Sequence, residues 1–188
     1  MEVRKAIQER RARRKFDTRP VEEDKIMLLI DAMRLSPSCN NNQPWRVVVG
    51  KDKESLEKIK VALNRGNSYA KNAPLIFAVC GKFEDDCHLN DRRDYFLFSC
   101  GLAVGEMMLQ ATELGLTAHP IAGYDPLMVK KNLNIPDDYV LITLVNIGYP
   151  GTDTSMLSEK QMEAETKRPE RKPLEDNFFK GSWGNPLD

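Results

Sequence analysis

The sequence is short of histidine and cysteine, and neither falls in a catalytic motif. It has two histidines, His88 and His119, and four cysteines, Cys39, Cys80, Cys87 and Cys100, with no C-x-x-C pair among them. A structural zinc site is therefore not expected. Cysteines scattered through apolar segments fit reduced thiols better than a disulfide framework, which points to the cytoplasm. The chain has no G-x-S-x-G nucleophile elbow, no G-x-G-x-x-G turn and no Walker motif, so neither a hydrolase of that kind nor a Rossmann domain is supported. No apolar run reaches the roughly 18 residues that a membrane helix needs. The opening Met1-Glu2-Val3-Arg4-Lys5 lacks the apolar core of a secretory signal. Net charge is also absent, since 28 Lys and Arg balance 28 Asp and Glu, so nothing pulls the whole molecule toward nucleic acid or membrane.

What is present is enough for a core. With 188 residues, 41% hydrophobic and 30% charged, residues 1–188 are expected to form one domain, with 152–188 as an arm. Charge is uneven locally: residues 1–19 carry eight Lys and Arg against three acids. Residues 2–15 read as a helix ending in Arg10-Arg11-Ala12-Arg13-Arg14-Lys15. Three readings compete for that cluster: a solvated face, a nucleic-acid arm, or an anion pocket in which Arg10 and Arg14 share one helical face. Val3, Ile7 and Phe16 look like anchors to a core, which an arm would lack.

Further along, Glu22 to Leu35 has the 3.6-residue apolar stripe of a helix, and Arg46 to Gly50 is a β-branched strand. Lys51 to Leu63 reads as a second amphipathic helix, and Leu75 to Cys80 as a second buried strand. Tyr95 to Leu114 is apolar nearly all round, which suits a helix at the centre of a core or a subunit interface. Gly101 and Gly105 would give it a smooth side, and Gly115 ends it. Pro126 to Leu133 is a short helix behind the N-cap Asp125, and Tyr139 to Gly148 is the strongest strand. Beyond Gly151 hydrophobics thin out, and the arm ends in Phe178, Phe179 and Trp183, which need a surface to bury them. The elements describe an α+β sheet with helices packed on it. His119 reads as a structural group, and Glu84, Asp85, Asp86 and Asp91 as solvation of a polar loop.

Between the first amphipathic helix and the first strand lies Pro37-Ser38-Cys39-Asn40-Asn41-Asn42-Gln43-Pro44-Trp45. Its amides can both donate and accept, so it fits the wall of a heteroaromatic ligand. It equally fits an Asn-rich turn favoured for local backbone reasons.

Five segments in order then resemble one family. They are Arg10-Arg11-Ala12-Arg13-Arg14-x-Phe16, Pro37-Ser38-x-x-Asn41-x-Gln43-Pro44-Trp45, the Gly101-x-Ala103 to Ala111 helix running to Gly115-Leu116, Pro120-Ile121-Ala122-Gly123-Tyr124, and Arg171-Lys172-Pro173-Leu174. Over nearly its whole length the chain resembles the nitroreductase family of FMN-dependent oxidoreductases. The resemblance implies a nitroreductase-like α+β fold with a central, mostly antiparallel sheet flanked by helices. It implies a homodimer with exchanged C-terminal arms and two FMN clefts at the subunit interface.

By the same resemblance Arg10, Arg11 and Arg14 contact the flavin phosphate, ribityl chain and pyrimidine edge, and Arg171 joins the phosphate. Ala12 stands where the family usually has a phosphate-binding Ser. Pro37, Ser38, Cys39, Asn41 and Gln43 approach from the other subunit. Asn67 bonds the pyrimidine side, while Pro120, Ile121, Ala122 and Gly123 lie along the isoalloxazine. The implied activity is reduction of FMN by NADH or NADPH, then of a nitroaromatic, quinone or similar small-molecule acceptor, by a ping-pong cycle. The cofactor carries the chemistry, so no catalytic side chain and no metal is assigned. No nucleic-acid or membrane partner is expected. The alternative from another class is a flavin-binding or redox-sensing protein with little turnover.

Overall fold

The apolar periods settle into three layers in a computed structural model that describes residues 1–187. The middle layer is a four-stranded sheet of β1 (Arg46–Gly50), β2 (Leu75–Gly81), β3 (Thr117–Ile121) and β4 (Val140–Gly148). Its order is β1-β2-β4-β3 and every neighbouring pair is antiparallel. β2 shows why the strand runs are continuous in apolar residues. Leu75, Phe77 and Val79 enter the core on one face, while Ile76, Ala78 and Cys80 enter the core on the other. A strand covered on both sides has no polar period to display.

On the first face lie α2 (Glu23–Arg34) and α4 (Tyr95–Glu113), with Leu29, Met33, Ala103, Met107 and Ala111 packed against the sheet. On the second lie α3 (Lys53–Lys60) and α5 (Pro126–Leu133), contributing Ile59 and Val129. Local chemistry fixes their starts: Asp52 accepts the Ser55 N–H, and Asp125 accepts the Met128 N–H ahead of Pro126. Gly115 ends α4 at φ +71°, a left-handed value that glycine adopts without strain.

α4 is buried along Phe96, Cys100, Ala103, Met107 and Ala111, yet its outer side leaves Leu97 and Phe98 exposed beside Gly101 and Gly105. A Cβ built on either glycine would meet nothing within 4 Å, so this side is bare in one chain.

Two expected elements change. The helix read over 2–15 stops early: α1 is Val3–Glu9, and Arg10 already turns extended with ψ 124°. The residues beyond it are claimed by tertiary pairing. Phe16 bridges Pro150, Asp17 N–H donates to Tyr149 O, and Gly151 N–H donates to Lys15 O. Arg10 and Arg14 therefore do not share a helical face. The arm, in turn, is more ordered than its composition suggests. It holds α6 (Glu159–Thr166), started by a Ser158/Gln161 capping box, and the short α7 (Leu174–Asn177). Beyond α7 the chain curls on itself through a Phe179–Pro186 bridge, with Trp183 against Phe179 and 91% exposed.

The thiols also need correction. Cys39 and Cys87 are joined as a disulfide with Cα atoms 5.9 Å apart, while Cys80 and Cys100 are free and buried. The expectation of four reduced thiols holds for only two.

Candidate functional site

The basic segment and the arm meet around α6. Its last carbonyls lack helical partners, and arginines fill the gap. Arg11 donates to Ala164 O at 2.8 Å and Arg13 to Glu165 O at 3.2 Å. Glu165 replies through its side chain, accepting the Arg14 backbone N–H at 2.6 Å. This docking is within one chain, and it carries the following residues, Arg168 and Arg171, back toward Arg10.

The result is a cavity of about 180 Å³ lined by Arg10, Arg11, Ala12, Arg14, Ala164, Arg168, Pro169 and Arg171. Five arginines and no carboxylate form that lining. The Arg10 guanidinium is held below its ordinary pKa, first by burial and then by repulsion from Arg168 and Arg171. Cations crowded this way without an acid between them describe a receptor for an anion, and planar guanidinium groups suit phosphate. Arg168 donates to Gln8 O and, at 2.7 Å, to Arg10 O, so it buttresses the pocket as well as lining it. Ala12 supplies no hydroxyl. Arg11 and Arg168 both donate to backbone carbonyls, and all five guanidinium groups keep their charge, since a neutral carbonyl does not cancel it.

A second cluster adjoins the first through Tyr69. The Arg14 guanidinium lies 5.8 Å from the centre of the Tyr69 ring, and that ring stacks on His119 with centroids 5.7 Å apart. The Tyr69 hydroxyl donates to Asn67 Oδ1, and Asn67 Nδ2 donates to Gly123 O, both at 2.9 Å. The path therefore brings Arg14, Asn67 and the Pro120–Gly123 segment together. Gly123 is required for close approach: a Cβ there would stand 2.2 Å from Asn67 Nδ2. His119 is held by Arg13 O at 2.8 Å from Nδ1, and burial first, then Arg14 and Arg10, lower its pKa to about 4. It is a neutral packing group, in line with its reading as structural. Ile121 is buried in the second core, so only its backbone faces the site, whereas Ala122 is exposed.

The amide loop stands apart. Pro37, Ser38, Cys39, Asn41 and Gln43 do not line the arginine cavity of their own chain. Its polar groups first serve the loop: Ser38 Oγ accepts the Gln43 N–H at 2.9 Å, and Gln43 Nε2 donates to Asn41 Oδ1 at 3.2 Å. Asn40, Asn41 and Gln43 all take left-handed φ values, 49°, 59° and 50°. Asn tolerates this region, and a loop that uses it three times is a shaped one. The Cys39 sulfur is committed to Cys87.

Sequence reasoning left out three residues that organise the site. Arg168 lies three residues before Arg171 in the sequence, a second cation on the arm. Glu165 and Tyr69 gave no signal of their own, because their partners lie 151 residues away in the first case and 50 in the second.

An anion cavity next to the Asn67–Gly123 ridge, on a helix-covered antiparallel sheet, marks an α+β binding protein. Comparison with known proteins makes the class specific. The nitroreductase family model matches residues 7–79 and 64–149. The chain is 31% identical to a Methanothermobacter thermautotrophicus protein provisionally named NADH dehydrogenase/NAD(P)H nitroreductase, over 80% of this chain and 78% of that one. It is 26% identical to the FMN reductase [NAD(P)H] of Bacillus subtilis, over 79% of this chain and 66% of the relative. A crystal structure of an oxidoreductase containing FMN superposes with a TM-score of 0.83 at 30% identity, covering 96% and 92% of the two chains. The chain belongs to the nitroreductase family. Among the described residues, no helix is long and apolar enough to cross a membrane.

Proposed function

We propose that the chain is an FMN-dependent NAD(P)H oxidoreductase, and that NADH or NADPH and a small oxidant use its flavin in turn, by a ping-pong cycle. The observation that carries this reading is the cavity lined by five arginines and no acid, joined through Tyr69 to the Asn67–Gly123 ridge. FMN, when bound, supplies reversible hydride transfer at N5. The chain's own residues bind and orient. Arg10, Arg168 and Arg171 would hold the phosphate, with Arg11 shared between phosphate and α6. Asn67 keeps one amide hydrogen for the pyrimidine edge, and Arg14 provides positive field near the ring. Pro120, Ala122 and Gly123 offer a thin backbone wall along the isoalloxazine, which leaves room for a flat acceptor such as a nitroaromatic or a quinone.

The amide loop completes this pocket in the partner subunit of a homodimer. Its absence from the cavity of its own chain, the bare side of α4 around Gly101 and Gly105, and the uncovered Trp183 support that arrangement. The segment 152–188 then divides its work: α6 docks on its own chain, and the part beyond α7 reaches the partner. The cytoplasmic placement rests on the family alone, because the cystine removes the argument from reduced thiols.

Purification with and without added FMN tests the reading. A yellow protein whose flavin is bleached by NAD(P)H without oxygen and recovers with nitroaromatics or quinones is expected. A chain that neither retains nor takes up FMN would sink it. The second reading, a redox sensor with little turnover, draws on one observation, the cystine between two surface loops. Flavin binding without steady-state NAD(P)H oxidation would favour it.

A further inference from the structure

The disulfide between Cys39 and Cys87 ties the amide loop to the polar loop that leads into α4, two segments 48 residues apart in sequence. Around it the polar groups are arranged unequally. Asp86 is 6% exposed, and its Oδ1 accepts the Cys87 N–H at 2.8 Å and the Asn42 amide at 3.4 Å. Its Oδ2 is buried with no hydrogen-bond partner. A carboxylate oxygen of Asp86 and the two sulfurs all lie within 4.8 Å of one another. Buried acceptors without donors are rare and costly. A cystine has no S–H to offer; two thiols have two. A reduced pair would bring two S–H donors close to the Asp86 carboxylate, which the cystine cannot.

The loop that is tied carries strain of its own. Asn40, Asn41 and Gln43 are left-handed, and the cystine holds them together with local hydrogen bonds from Gln43 N–H to Ser38 Oγ, Gln43 Nε2 to Asn41 Oδ1 and Asn42 N–H to Cys39 O. Both sulfurs belong to partly exposed residues, whereas Cys80 and Cys100 are buried, with thiols pushed up to about 11 and about 12 by burial. One pair is open to exchange and the other pair is inert.

We propose that Cys39–Cys87 is a reversible thiol–disulfide exchange site for dithiols, and that its state sets how firmly residues 38–43 are held. A thiolate of the dithiol attacks one sulfur of the cystine and forms a mixed disulfide. The other cysteine leaves as thiolate and takes a proton. The second thiol of the reagent then displaces the first cysteine, which is protonated in turn. Two electrons and two protons pass to the protein, and the dithiol ends as its own disulfide. The effect on flavin rests on the proposed reading of residues 37–43 as a wall of the flavin site; the exchange chemistry does not.

The test equilibrates native protein, with and without FMN, in buffers of reduced and oxidised dithiothreitol, followed by trapping with iodoacetamide and peptide mass analysis. Labels are expected on Cys39 and Cys87 together in reducing buffer, lost again in oxidising buffer, with Cys80 and Cys100 unlabelled throughout. Amide hydrogen exchange over residues 38–43 and 83–90 should rise on reduction, on the order of tenfold, in flavin-free and flavin-loaded protein alike. The Cys39→Ser and Cys87→Ser variants should exchange fast in both buffers. Flavin release should quicken on reduction in the parent chain and be insensitive to buffer in the variants. A cystine that native dithiol cannot open, cysteines that never pair in oxidising buffer, or amide exchange unchanged by reduction would each overturn the proposal. Reversible labelling with faster amide exchange in a chain that binds no FMN would uphold the switch and refute the flavin reading.

Discussion

Glu165 accepts the backbone N–H of Arg14 at 2.6 Å across 151 residues, and at 4% exposure it does so away from water. That bond joins the arm to the basic segment. With the bonds from Arg11 to Ala164 O, Arg13 to Glu165 O and Arg168 to Arg10 O, it holds Arg168 and Arg171 near Arg10. Replacing Glu165 by Ala leaves a buried amide without its charged acceptor. A loss of about 1.5–3 kcal/mol is expected, the scale for a hydrogen bond to an ionised group. Urea unfolding measures the loss, and faster hydrogen exchange in α6 would locate it.

Arg10 illustrates the opposite balance. Its neighbours repel it, so Arg10→Ala should leave the flavin-free chain as stable as before, or slightly more so. Flavin affinity should fall by about 1.5–3 kcal/mol, roughly tenfold to 150-fold. Fluorescence titration with FMN reads this directly, and an unchanged dissociation constant would reduce Arg10 to a surface charge. Ala12→Ser should work in the other direction, strengthening flavin binding by about 1 kcal/mol.

Gly123→Ala would press a methyl against Asn67 Nδ2 and force that amide off Gly123 O. A destabilisation of about 1–3 kcal/mol and weaker flavin binding are expected together. Asn67→Ala in the Gly123→Ala background separates the two effects: it should relieve the steric part of the instability and leave the binding defect.

His119 predicts a pH dependence. Its folded pKa of about 4 lies below the unfolded value of roughly 6.5, so the unfolded chain binds the extra proton between them. The stabilisation is complete above pH 6.5 or so and is lost as pH falls through 4, a swing of about 3 kcal/mol. His119→Gln should flatten that part of the curve in denaturant titrations. A parent chain whose stability is level from pH 7 to pH 4.5 would contradict the burial argument.

Gly105→Leu tests the assembly. The position is open in one chain, so the monomer should fold with unchanged helix content. Light scattering should show dimers in the parent and monomers in the variant, with flavin lost as the pocket loses its second half. A variant that remains dimeric would move the interface elsewhere.

The strands and the long helices were legible because their signals are local. β1 and α5 fall where the β-branched run and the capping put them, and β2, β4 and α4 end within a residue of expectation. The first helix was misjudged for a physical reason: Arg, Ala and Lys all favour helix, but Phe16 and Glu165 pull residues 10–17 into tertiary pairing. α6 could have been found from Ser158-x-x-Gln161, a capping-box pattern hidden in a polar arm. The cystine could not, since nothing in the spacing of Cys39 and Cys87 distinguishes them from Cys80 and Cys100. Most of the arginine cavity was readable by resemblance; its dependence on Glu165 was not.

The arginine cavity selects for charge and shape, and those are shared by simple salts. Inorganic phosphate or sulfate should relieve the repulsion among Arg10, Arg168 and Arg171 as a flavin phosphate would, and each is expected to stabilise the folded chain by mass action. Such anions are expected to raise the melting temperature of the flavin-free protein and to compete with FMN for the same arginines. The colour of a preparation thus becomes a record of the buffers it has passed through.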